Sequence, residues 1–254
     1  MAGLTTKLYY LQWAMTSTNK ISLEPAFVLH RRPYQETSII VDFFTRKYGR
    51  LNAVAKGAKR PKSPLRSVLS PASKLSISLS GKNDLKTLSS AEILNHYILN
   101  NSQSLNSIVY INELLTKAIE KEDPHEHIFD LYEGLLTNMS SSHSTVFLER
   151  LLREFELSLL QGMGYGVDLV REAETNKKIK KDLHYSFNPD LGFLEVKKPT
   201  SSQLLFPGED IINFSEGDFE KKTTRNHSKI IMRIALDYHL GNKTINIRKY
   251  LTKE

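Results

Sequence analysis

Thr37-Ser38-Ile39-Ile40-Val41-Asp42-Phe43-Phe44, Lys47-Tyr48-Gly49 and Leu51-Asn52-Ala53-Val54-Ala55 follow one another and read as a β-hairpin. Two runs rich in β-branched and aromatic residues flank a turn whose glycine suits positive φ. Upstream, Ala26-Phe27-Val28-Leu29-His30 forms a strand that ends at the Arg32-Pro33 break. Downstream, Lys74-Leu75-Ser76-Ile77-Ser78-Leu79-Ser80 alternates strictly, placing Leu75, Ile77 and Leu79 on one face. After the Gly81-Lys82-Asn83-Asp84 turn, Leu85 to Glu92 supplies a fifth strand. Five short strands within about 67 residues suit a small, partly open Greek-key barrel, of which the OB-fold is the common nucleic-acid-binding form.

Beyond residue 100 the period changes from two to that of a helix. Ile108, Ile111, Leu115 and Ile119 make one apolar stripe. Asp123-Pro124 reads as the start of another helix, Asp at its N-cap and Pro at its first position, with Ile128, Leu131, Tyr132 and Leu135 inward. Ser140-Ser141-Ser142-His143-Ser144 is a loop. The strongest helix runs from Thr145 to Gln161, carrying Leu148, Leu151, Leu152, Phe155, Leu159 and Leu160, with Gly162 and Gly164 to stop it. Residues from about 171 to 200 are polar around the turn Asn188-Pro189-Asp190-Leu191-Gly192, which predicts a surface hairpin. A last helix is predicted from about Arg225 to Leu240. The expected class is therefore α+β: an N-terminal five-stranded OB-fold barrel over 23–95, then a mainly helical domain over 100–254. Residues 1–22, in which Lys7 precedes Leu8-Tyr9-Tyr10-Leu11-Gln12-Trp13-Ala14-Met15, are too short and broken for a signal peptide. They read as a disordered extension, with Met15 an alternative start.

Charge divides the chain in the same place. Residues 1–84 hold 14 Lys/Arg against 4 Asp/Glu, whereas residues 85–254 hold 21 against 24. An excess confined to one module makes a positive face, and phosphate backbones are the usual polyanions such a face meets. The sharpest cluster is Lys56-Gly57-Ala58-Lys59-Arg60-Pro61-Lys62-Ser63-Pro64-Leu65-Arg66, a loop that Gly57, Pro61 and Pro64 keep out of regular structure. Arg31-Arg32 and Arg46-Lys47-Tyr48-Gly49-Arg50 add cations at two other strand ends. The expected DNA contact therefore comprises Arg31, Arg32, Arg46, Lys47, Arg50, Lys56, Lys59, Arg60, Lys62 and Arg66. Tyr34 and Tyr48 stand beside these charges, either as platforms for stacked bases or as barrel-rim packing. Of Phe43 and Phe44, which point to opposite faces, one is expected in the core.

Other chemistries find little footing. The chain has no cysteine, which excludes disulfides and thiolate metal sites and fits a reducing cytoplasm. No apolar run approaches the ~20 residues that span a bilayer. His125-Glu126-His127 places two imidazoles at i and i+2, which do not share a helix face. Gly162-Met163-Gly164-Tyr165-Gly166 follows a helix, not a strand, so it is a helix stop and not a dinucleotide loop. Glu149 and Glu156 lie seven apart without a partner nucleophile or acid. No catalytic residues, cofactor or metal are expected.

Taken in order, several stretches resemble the RecO family of bacterial recombination mediators. They are Ala26-Phe27-Val28-Leu29-His30-Arg31-Arg32-Pro33 with Glu36-Thr37-Ser38, Asp42-Phe43-Phe44-Thr45 with Gly49-Arg50, and Val54-Ala55-Lys56-Gly57-Ala58. Leu85-Lys86-Thr87-Leu88, Tyr110-Ile111-Asn112-Glu113-Leu114-Leu115 and Arg153-Glu154-Phe155-Glu156-Leu157 through Gly164-Tyr165-Gly166 complete the set. The resemblance covers about residues 24–250. It implies an OB-fold and a helical domain, binding of single- and double-stranded DNA, annealing of complementary strands, and help in loading RecA onto DNA coated with single-strand-binding protein (SSB). It further implies RecR and the acidic, Phe-ended SSB tail as partners, and a cytoplasmic, nucleoid-associated location without membrane contact. Some members carry a four-Cys zinc module after the Gly-Tyr-Gly stretch; this chain has no Cys, so its stretch at about 171–200 is expected to be metal-free.

An acidic tail ending in Phe wants an apolar pocket beside a cation for its terminal carboxylate. On the helix from Thr145, Phe155, Leu159 and Leu160 form an apolar wall and Arg150 and Arg153 stand at its edge. That wall is either core or pocket. The resemblance directs the SSB tail to this helix, with Arg153 on the carboxylate. Two other functions compete: an OB-fold protein of ribosome or tRNA handling, and an adaptor whose basic barrel only adds solubility.

Overall fold

The computed structural model describes residues 20–99, 101–141, 144–198, 200, 203–241 and 243–248. The extension expected over 1–22 lies outside the described residues as far as 19. Lys20–Ser22 are not part of it, because β1 begins at Lys20 and Ile21 is buried opposite Leu79.

Two compact units divide the chain: one runs up to Tyr97 and takes back Ile119–Glu126, the other comprises Ile98–Ala118 and the chain from His127 onward. In the first, β1 (Lys20–Tyr34), β2 (Ser38–Thr45), β3 (Gly49–Ala55), β4 (Ser73–Ser80) and β5 (Leu85–His96) pair in the order β1–β2–β3–β5–β4. β4 returns to β1, so the sheet closes on itself instead of staying partly open. Alternation fills its interior: Val41 and Phe43, Leu51, Ala53 and Ala55, then Leu75, Ile77 and Leu79 all face one core. Phe43 and Phe44 are both fully buried, although only Phe43 belongs to that core. Phe44 lies on the opposite face across from Phe27, whose ring packs 6.5 Å from Tyr97. A short helix, α1 (Leu65–Val68), leads into Leu69 and packs Leu65 and Val68 against the barrel core.

The segment Ile119–Glu126 is a strap on this barrel. Lys121 bridges Arg50 in parallel, and the Glu122 amide donates to the Arg50 carbonyl (3.0 Å). Glu122 reaches Lys86 (3.4 Å) and Glu126 reaches Arg46 (2.7 Å). Asp123-Pro124 therefore does not open a helix, which begins only at Glu126. The Asp123 carboxylate instead faces His125 Nε2 at 2.9 Å.

The second unit contains α2 (Ser102–Ala118), α3 (Glu126–Ser141, from His127 on), α4 (Thr145–Gly162), α5 (Gly208–Glu216) and α6 (Lys222–His239). Ser144 caps α4 by accepting the Phe147 amide at 3.3 Å. Buried polar pairs fix neighbours: Tyr132 donates to Asn112 (2.6 Å) between α3 and α2, and Asp210 of α5 accepts from Thr224 (2.7 Å) of α6. The polar excursion does hold a hairpin, β6 (His184–Asn188) and β7 (Gly192–Glu195), joined by β8 (Phe206–Pro207). It is more than a surface feature, since Tyr185, Phe193 and Phe206 are buried. Its lead-in is ordered by the Glu172 carboxylate, which accepts the amides of Glu174 and Thr175.

Gly49 is where strap and barrel meet most closely. Its φ is +65°, and a Cβ there would lie 2.1 Å from the Asp123 carbonyl oxygen. Gly49→Ala should therefore lose more than the ~1–2 kcal/mol that a left-handed alanine alone costs. Urea unfolding of the variant checks this; a loss within that range would mean the strap yields freely.

Candidate functional site

Folding sorts the barrel's cations to two ends. β2 and β3 pair from Ile39 with Ala55 to Thr45 with Gly49, so the β1–β2 turn and the chain leaving β3 share one end. The Lys59 amide donates to the Thr37 carbonyl (2.9 Å) and Lys59 Nζ to the Gln35 carbonyl (3.1 Å), which docks the 56–62 loop on that turn. Arg31, Arg32, Lys56, Lys59, Arg60 and Lys62 are exposed there, with Arg66 exposed on α1. Gly57 turns the loop with φ +71°, and Tyr34 is half-buried at the end of β1. The only acid of the turn is Glu36. A dense, weakly compensated cluster on a barrel end can follow a phosphate backbone without reading bases.

Arg46, Lys47 and Tyr48 lie on the β2–β3 turn at the other end, about 24 Å away across the seven ~3.4 Å steps from Ser38 to Thr45. That end is compensated: Arg46 pairs with Glu126, and the Lys47 amide donates to Glu24 (2.7 Å). Arg50 does not belong to an exposed site. It is 8% exposed, with Nη2 on Asp42 (2.8 Å) and Nη1 on the Ile119 carbonyl (2.7 Å). Its place in a basic run disguised a residue that ties β2, β3 and the strap together.

The helical unit holds a cavity of about 190 Å³. Five cations, Arg153, Arg225, Lys229, Arg233 and Arg248, line it against two carboxylates, Glu149 and Glu156. Arg225, Lys229 and Arg233 recur every four residues and so form a stripe on α6. Arg225 Nε is 2.9 Å from Glu149 Oε2, an ion-pair distance without hydrogen-bond alignment. At the cavity floor Glu156, 1% exposed, accepts from Tyr110 (2.7 Å) and from Arg153 Nη2 (2.6 Å). Burial, then the Glu156 charge, push the Tyr110 hydroxyl well above the usual phenol range. Arg153 Nε is buried without a hydrogen-bond partner among the described residues. Arg248 stands 5.8 Å above the Tyr110 ring.

Of the expected tail-binding residues, only Arg153 reaches this cavity. Phe155, Leu159 and Leu160 are buried core residues, so the apolar wall is not a pocket wall. Arg150 is exposed and paired with Glu154 (2.6 Å). Leu152 supplies the apolar lining from α4 instead. Sequence reasoning missed the other cations; the four-residue spacing of Arg225, Lys229 and Arg233 is the signal that could have found those on α6, whereas Arg248 lies beyond that helix.

Residues 20–97 match the family described as "Recombination protein O N terminal", and residues 100–243 match "Recombination protein O C terminal". The chain is 38% identical over 223 residues to the DNA repair protein RecO of Glaesserella parasuis, covering 88% of this chain and 92% of that protein. It is 39% identical over 235 residues to the DNA repair protein RecO of Polynucleobacter asymbioticus, covering 91% and 96%. The figures for the Haemophilus influenzae DNA repair protein RecO are 38% over 231 residues, again 91% and 96%.

Beneath the β2–β3 turn, burial raises the Glu24 carboxyl above its usual range despite the amide hydrogen bond and the Lys47 charge. A carboxyl whose folded pKa is raised costs stability as pH climbs from its unfolded pKa through its folded one. Glu24→Gln, which keeps an acceptor for Lys47, should match wild type in denaturant unfolding at low pH. It should gain on wild type as pH passes through that window. A constant difference at all pH values would assign the effect to packing instead.

Proposed function

This chain belongs to the recombination protein O family, and from that premise we propose that it is a DNA repair and recombination mediator that works by binding. The observation that carries the reading is the gathering of Arg31, Arg32, Lys56, Lys59, Arg60 and Lys62 at one end of an OB-type barrel by the docked 56–62 loop. Such a surface holds single- or double-stranded DNA through its phosphates, and Tyr34 offers a ring beside them. Complementary strands repel, and a cationic end that screens their phosphates raises their rate of encounter. Annealing then needs no nucleotide hydrolysis. In this reading the protein, with RecR, helps RecA onto SSB-coated strands.

The basic cavity is the proposed seat of the SSB tail. The helical part of the chain is nearly neutral, so an acidic peptide must find a local site, and the α6 stripe provides one. Arg153 is proposed to take the terminal carboxylate, with Lys229 and Arg233 meeting the acidic residues before it and Leu152 the ring.

Titration of equal-length single-stranded DNA and RNA at several salt concentrations tests the barrel. Affinity should fall with a log–log slope of about −0.7 per phosphate contacted on single strands. Reversing Lys59, Arg60 and Lys62 to Glu should weaken binding for any base sequence. Wild-type affinity in that triple variant would reduce the loop to solvated charge, and a clear preference for RNA would replace this reading.

For the cavity, Arg153→Ala should weaken an SSB-tail peptide about tenfold or more, as loss of a charged hydrogen bond worth roughly 1.5–3 kcal/mol implies. Lys229→Glu should weaken the same peptide without disturbing the buried Glu156. DNA binding should survive in both. Unchanged peptide affinity in two folded variants would move the tail site elsewhere.

A further inference from the structure

The strap Glu120-Lys121-Glu122-Asp123-Pro124-His125-Glu126 carries four acids and one lysine onto a basic barrel. We propose that Glu122 and Glu126 set how long a stretch of single strand the barrel engages, Glu126 by occupying Arg46 of the cationic β2–β3 turn and Glu122 by holding Lys86 of β5 alongside β3, cations that would otherwise extend the contact. The inference rests on the barrel's reading as a nucleic-acid binder.

Three observations place the strap at that turn. Gly49, the last turn residue, packs on the Asp123 backbone. The Glu122 amide is hydrogen-bonded to Arg50, and its carboxylate faces Lys86. Glu126 holds Arg46 at 2.7 Å. The arrangement is a contest and not a lock, because the Arg46 and Glu126 side chains remain 36% and 54% exposed. Exposed pairs of this kind contribute little, so a phosphate can replace the carboxylate. Between the two ends, Arg50 is already spent on Asp42, so the middle of the β2–β3 face adds no free charge. A strand bound at the 56–62 end therefore gains nothing by running on to the β2–β3 turn until it displaces Glu126. Lys47, exposed beside Arg46, lies in the same shadow of negative charge.

The test compares wild type, Glu122→Gln/Glu126→Gln, the same double variant with Arg46→Ala, and a control, Glu92→Gln, at an exposed site on β5. Each is titrated with oligo-dT of increasing length over a range of salt. The double variant should bind long oligonucleotides about two- to fivefold tighter at low salt, the scale of exposed ion pairs. Its salt slope should steepen by roughly 1.4, for two further phosphates. Its affinity should also keep rising to a longer oligonucleotide than that of wild type. Arg46→Ala should cancel most of the gain, and Glu92→Gln should produce none. Unchanged slope and length dependence in the double variant, an equal gain in the control, or a gain that survives Arg46→Ala would overturn the proposal. Salt-insensitive or absent binding by wild type would instead remove the nucleic-acid reading, and this inference with it.

Discussion

Six like charges crowded at one end of a barrel repel each other, and the fold must hold them there at some cost. The contact that does so is the hydrogen bond from the Lys59 amide to the Thr37 carbonyl, seconded by Lys59 Nζ on the Gln35 carbonyl. It pins the loop after β3 onto the β1–β2 turn, so two clusters distant in sequence act as one. A backbone hydrogen bond contributes only about 0.5–1.5 kcal/mol net. The loop is also seated by apolar groups: Ala58 is buried in the barrel core, and Leu65, Val68 and Leu69 follow it there. Because Pro61 and Pro64 restrict this loop, less entropy is lost in fixing it, a gain that Gly57 partly offsets. The opposite end shows the contrast, where Arg46 pairs with Glu126 of the strap and Glu24 of β1 lies beneath the turn, hydrogen-bonded to the Lys47 amide.

The helical unit reaches a local positive site by another route. Its charge sums to nearly nothing, yet a four-residue repeat on α6 collects three cations on one face, and α4 presents Arg153 to them. Burying Glu156 beneath that group keeps Arg153 from folding away, at the expense of desolvating a carboxylate whose second oxygen has no hydrogen-bond partner among the described residues. Tyr110 shares this load through its hydroxyl. An incompletely satisfied polar cluster at a cavity floor suits a site that receives a ligand better than one that only holds a core together.

How much of this was legible in the sequence depended on range. Strands were readable because Leu75, Ile77 and Leu79 alternate, and every one is fully buried. The limits of α4 were readable to within a residue from the end of the Ser-rich loop and from Gly162 and Gly164, although the capping role of Ser144 was not. The strap was not legible, because its contacts run through the backbone of Gly49 and Arg50 about 70 residues away. That same attachment delays α3 past Asp123-Pro124, whose local chemistry favoured an N-cap. Arg50 lies in a basic run but faces Asp42, and only the pairing of β2 with β3 brings Asp42 within reach. Phe155, Leu159 and Leu160 were known to be apolar, but one helix alone does not say which of its flanks is covered. α5 passed unnoticed because its nine residues carry too short a pattern to stand out.

Both proposals for the barrel require that nucleic acid meet one of its ends first. Backbone amide shifts followed by NMR during titration with a short oligo-dT would resolve the two ends in a single experiment. The account predicts that amides of Arg31, Arg32, Tyr34 and residues 56–62 move early, while those of Arg46, Lys47 and Tyr48 stay in place. Early movement at the β2–β3 turn, with the 56–62 loop unaffected, would contradict it.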